Sequence, residues 1–99
     1  MTAREIEAAM LTRCITAARE DTSSAQNQRE ANVFQLAAMV LRSQFPQPSA
    51  NLERASELYF AAHPTERLTA AEVVRNGWVV GLPRLHDRLC RKLLSVTSS

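Results

Sequence analysis

Val33, Leu36, Ala37, Val40 and Leu41 recur at i, i+3, i+4, i+7 and i+8, and Phe34, Ala38 and Phe45 broaden the same face. That is the full template of an apolar stripe on a helix, and a strand, whose faces alternate every residue, cannot present it. Ile6, Ala9, Met10, Cys14 and Ala17 keep the same period, as do Leu52, Ala55, Tyr59 and Phe60 and, further on, Leu85, Leu89 and Leu93. Thr2 and Glu5, Ser23 and Gln26, and Thr69 and Glu72 each have the spacing of a capping box, in which hydroxyl and carboxyl or amide serve the first free amides of a helix. The pattern predicts an all-α fold, a small bundle of four to five short helices in a single domain over residues 1–99. Helices 1 and 2 are expected to pack antiparallel, with helices 3 to 5 covering one side.

Helix 1 is expected from about residue 3 to 20. Residues 20–32 hold no large apolar side chain and read as a polar loop or an exposed helix end, with a break near 22 where helix 2 begins. The rival is one unbroken helix through 43. Pro46 and Pro48 end the second helix on this reading, and Ser49 or Asn51 caps the third. Helix 4 is short, about 70 to 76, with Leu68 and Val73 placed as a hydrophobic staple and Gly77 placed as its left-handed cap. The apolar run from Trp78 to Leu82 is too long for a tight turn. Pro83 suits the first position of helix 5, and 96–99 should fray.

Apolar residues make up 45% of the chain and charged ones 22%, the balance of a globular domain with one core. A domain this short buries only about 60 to 65% of its unfolded surface, so a second copy can complete its apolar faces. A homodimer is expected through the surplus stripe of Val33, Phe34, Leu36, Val40 and Leu41. No segment approaches the roughly 18 apolar residues of a membrane span, and the first residues lack the apolar region of a signal peptide. The expectation is therefore a cytoplasmic protein with no membrane contact. Cys14 and Cys90 lie far apart within helical apolar patterns and read as reduced, packed thiols.

Chemistry-bearing residues are scarce. His63 and His86 are the only histidines, and no nucleophile elbow, Walker loop, dinucleotide fingerprint or His-Glu-x-x-His occurs. No catalytic residue, cofactor or metal site is expected. His86 and Cys90 do have the i, i+4 spacing of metal ligands, which Cys14 and His63 could complete to four, but both border the Leu85, Leu89, Leu93 stripe and read as packed. The segment His63-Pro-Thr-Glu-Arg-Leu-Thr-Ala-Ala-Glu-Val-Val resembles the closing segment of protein kinase catalytic domains. It covers about a dozen residues, while the glycine-rich loop and the catalytic and metal-binding Asp residues of that family are absent. A loop followed by a capped helix accounts for it.

Eleven of the twelve basic residues are Arg, the side chain suited to bidentate contact with carboxylate or phosphate, and five of them with Lys92 fall in residues 66–99 against only Glu66, Glu72 and Asp87. Arg84, Arg88 and Arg91 stand at i, i+4 and i+7 on helix 5 with Lys92 beside them, and these four are the expected partner-binding residues. Asp87 is placed to pair with Arg91. The reading is a non-enzymatic helical module for protein–protein interaction, a small accessory, adaptor or regulatory protein whose partner is another protein. The alternative is a DNA-binding transcriptional regulator using a degenerate helix-turn-helix at 68–93, whose joint is longer than the usual three or four residues. Third comes a small helical enzyme or metal protein resting on His86 and Cys90.

Overall fold

The structure is a computed structural model that describes residues 2–20 and 24–97. It is all-α, with five α-helices and a short 3-10 turn and, among the described residues, no strand. The helices are α1 (Ala3–Arg19), α2 (Gln28–Leu41), α3 (Pro46–Ala62), α4 (Ala70–Arg75) and α5 (Leu82–Thr97), with the 3-10 turn at Pro64–Glu66.

Local chemistry explains most of the boundaries. Thr2 caps α1, its hydroxyl accepting from the Glu5 amide at 3.2 Å. At α4 both halves of the box close: the Thr69 hydroxyl accepts from the Glu72 amide, and the Glu72 carboxylate accepts from the Thr69 amide at 2.9 Å. The Thr69 amide first and then the Thr69 side chain, with Arg75 a weaker contributor, hold the Glu72 carboxyl below its ordinary range. Gly77, at φ 76°, closes α4 in the left-handed region and turns the chain into the Trp78–Val80 bends.

Three expectations about boundaries change. Residues 24–27 are non-helical, and the Asn27 side chain accepts from the Glu30 amide at 2.9 Å and starts α2 there. The Ser23 box lies outside the described residues, but α2 begins well beyond it. Nor is the whole polar stretch loop or exposed end: Glu30, Ala31 and Asn32 are helical and buried. Polar groups in that stretch are fixed by hydrogen bonds instead of apolar area, which composition does not reveal. Secondly, Pro46 and Pro48 begin α3. The second helix ends at Leu41, and prolines tolerate the first turn because its amides have no partner within the helix anyway. Ser49 and Asn51 are therefore inside α3 as buried ties, the Ser49 hydroxyl donating to Ala38 O at 2.6 Å and Asn51 Nδ2 to Ala18 O at 2.7 Å. Thirdly, α5 starts at Leu82 and runs to Thr97, so the expected fraying at 96–99 is met by helix at 96 and 97, while 98 and 99 lie outside the described residues.

At the centre is α2. It forms a tight hairpin with α3 and also packs on α1, α5 and α4; helices 1 and 2 meet as expected, while α3 is the more extensive partner of both. Val33, Phe34 and Leu41 are fully buried, with Leu36 at 2%, among Cys14, Leu52, Phe60 and Leu89. Val40 is half-buried against the same cluster. Most of the stripe expected to supply a dimer interface, Val33, Phe34, Leu36 and Leu41, is thus buried inside one chain, where α1, α3, α4 and α5 surround α2. Burying each of these large side chains contributes about 1.5 to 3 kcal/mol.

Candidate functional site

Of the four predicted contact residues, Arg84 and Arg88 converge on α1. Glu7 Oε1 lies 3.5 Å from Arg84 Nε and 3.1 Å from Arg88 Nη1. Further along the same seam, Lys92 and Ser95 border a shallow cleft with Thr12, Ile15, Thr16 and Arg19. The edge of α5 turned to α1 is therefore 84, 88, 92 and 95. Arg91 falls off that edge and pairs with Asp87 at 3.3 Å, both side chains largely exposed, so it stands apart from the other three.

The Arg84–Arg88 end of the seam opens into a cleft of about 160 Å³ lined by Arg4, Glu7, Gly77, Trp78, Val79, Val80, Arg84 and Arg88. Its floor comes from the connector after α4. The positive φ of Gly77 brings Trp78 back over the end of α4, where its amide bonds to Val73 O at 3.4 Å. Val79 then plugs into the core at 6% exposure, leaving Val80 outward at 61%. Beneath the cleft the apolar recess between Met10, Leu11, Cys14, Val33 and Leu85 is nearly filled, its free volume of about 10 Å³ being at the lower limit for one water. Trp78 is half-buried, and the Arg29 guanidinium lies 5.8 Å from its ring centroid.

Three arginines and a single carboxylate, Glu7, thus line one cleft with an apolar floor, and two of the three reach that carboxylate. Arg84 also sits in the first turn of α5, where the positive end of the helix dipole disfavours a cation, and the Glu7 carboxylate offsets that charge. Arg4, Glu7, Trp78 and Val80 were not among the residues expected from the sequence. The one available signal was the lone Trp in a connector too long for a turn.

The other chemical cluster is His86, Cys90 and Gln44. Gln44 Oε1 lies 2.7 Å from His86 Nε2 and 3.3 Å from Cys90 Sγ, and the sulfur lies 3.5 Å from the same Nε2. An amide oxygen only accepts, so Nε2 carries its hydrogen toward Gln44 and cannot take the thiol proton. Burial and then Asp87 push the Cys90 thiol up, the wrong direction for a nucleophile. Cys14 is in the core and His63 stacks on Tyr59 at 4.4 Å beside Glu66, so neither joins the pair. Among the described residues no three metal-ligating His, Cys, Asp or Glu side chains come together. Cys90 is only half-buried, unlike Cys14, and both are free thiols.

The helix-turn-helix geometry is not reproduced. α4 has six residues, the joint runs from Asn76 to Gly81, and α5 packs on α1 and α2 while α4 packs on α2. The kinase-like segment forms a 3-10 turn, an extended link and the capped α4, as its local signals imply. Comparison with family models, curated proteins and solved structures yields no match.

Proposed function

We propose that this chain is a non-enzymatic helical interaction module, an accessory, adaptor or regulatory protein that binds another protein through the cleft at the start of α5. The observation that carries the reading is the juxtaposition of Trp78 and the exposed Val80 with Arg4, Arg84 and Arg88. Tryptophan and arginine are the side chains over-represented where protein interfaces gain most of their energy, and an apolar centre with a polar rim is the usual anatomy of such contacts. A second reading, binding of DNA by α4 and α5, has the basic helix in its favour and the length of the joint against it.

Affinity capture from the native host, with and without nuclease, tests the proposal. A protein retained after nuclease treatment and lost when both Arg84→Glu and Arg88→Glu are introduced supports it. Co-purifying material that disappears with nuclease overturns it in favour of nucleic acid.

A further inference from the structure

We infer that the cleft binds an acidic peptide segment of the protein partner, one carboxylate seated between Arg84 and Arg88 and a neighbouring apolar side chain laid over Trp78 and Val80. The inference rests on the interaction-module reading and adds the chemistry of the occupant. Glu7 supplies one oxygen to two guanidinium groups, at 3.5 and 3.1 Å, while each guanidinium carries five N–H donors. The Arg84 and Arg88 side chains remain 52% and 38% exposed, and one contact each to Glu7 leaves further donors for an incoming acceptor. Arg4 lines the same cleft with no ion pair among the described residues. The dipole of α5 adds positive potential at this end. An anion is therefore the complement of the rim, and an apolar group the complement of the floor.

A peptide satisfies both demands, because the three arginines line one small cleft with an apolar floor and form no extended basic track along which a phosphate backbone would run. Glu7 acts here as an internal stand-in for the partner's carboxylate. It holds the two arginines in position while the cleft is empty and competes with the occupant when it arrives.

Trp78 is the only tryptophan in the chain, so its fluorescence reports directly on this cleft. The probe is a synthetic peptide alternating Glu with Leu and Phe, set against the same peptide with Lys for Glu and a DNA duplex of equal charge. The acidic peptide is expected to shift the emission saturably and to weaken with salt. Introducing Arg84→Glu and Arg88→Glu together should reduce affinity at least about tenfold, and Val80→Ser severalfold. Glu7→Gln, which removes the competing charge and keeps a side-chain oxygen to position the two arginines, should tighten binding severalfold. The inference is overturned if the acidic peptide does not bind, binds no better than its Lys counterpart, is indifferent to the arginine reversals, or is outbound by the duplex. Peptide failure alongside arginine-dependent capture of a protein removes the acidic occupant but not the module. Failure of both removes both.

Discussion

Burial takes Cys14 furthest from its behaviour in water. Its thiol is pushed up to about 12 from an ordinary 9.0, first by desolvation and then by the Glu30 carboxylate, with Arg13 pulling it back. The folded state thus holds the proton more tightly than the unfolded chain. This contribution to stability is complete below about pH 9 and is lost as pH rises from there toward 12, at about 1.4 kcal/mol per pH unit. Urea unfolding across that window should show the slope, and Cys14→Ala should remove it. What remains in the variant includes Tyr59, whose phenol is also raised, chiefly by its hydrogen bond to Glu66. Glu30 is the other residue whose environment decides its worth. It is buried at 4% exposure, takes Arg13 Nε at 3.0 Å and Nη2 at 3.3 Å, and accepts the Gln26 amide at 3.1 Å. Glu30→Ala leaves a half-buried guanidinium and an amide without partners and is expected to cost about 2 to 3 kcal/mol by chemical denaturation. A cost within about 0.5 kcal/mol, the range of an ordinary surface position, would contradict this account.

Between elements, Asn32 is the principal polar tie. At 1% exposure its Nδ2 donates to Gln28 O at 2.9 Å and Glu66 O at 3.0 Å, and its Oδ1 accepts from the Leu68 amide at 2.8 Å, fastening α2 to the link before α4. Asn32→Ala is expected to lower stability by about 2 kcal/mol. Asn32→Asp should cost more, because it aims a carboxylate at two carbonyl oxygens in a buried place, and equal melting temperatures for the two variants would refute that. At Gly77 a Cβ meets nothing within 4 Å, so Gly77→Ala is expected to cost only the roughly 1 kcal/mol of the left-handed backbone, with little loss of packing. Elements whose signals are local were readable beforehand: Thr2 and Thr69 cap the helices expected of them, and Gly77 ends α4. Asn27, Ser49 and Asn51 were misplaced or passed over. The Asn27 cap belongs to a stretch without apolar period, while Ser49 and Asn51 find partners on α2 and α1, which no local pattern can supply.

Over the whole molecule the apolar period foretold the core composition but not how completely it would be enclosed. Leu36 shows the difference. Expected at an interface, it is 2% exposed within one chain, so Leu36→Glu should unfold the protein by about 3 kcal/mol or more at every concentration. A midpoint that instead rises with protein concentration would restore the stripe to a dimer contact. The candidate site was half legible for a related reason. Arg84 and Arg88 share a helix edge by spacing alone, whereas Arg4, Glu7 and Trp78 reach them only through tertiary packing. The seam from Glu7 with Arg84 and Arg88 to Thr16 and Arg19 with Lys92 and Ser95 shows that the first and last helices lie side by side and run parallel. Bringing them together closes a loop of nearly the entire chain, while the α2–α3 hairpin closes only the short turn between them, and chain entropy makes the long closure the costlier. The hairpin should then condense early and the α1–α5 seam dock after the rate-limiting barrier. In stopped-flow experiments Glu7→Ala should accordingly speed unfolding and leave the refolding rate unchanged. On that order the walls of the cleft should be the last part of the molecule to come into being and the first to part.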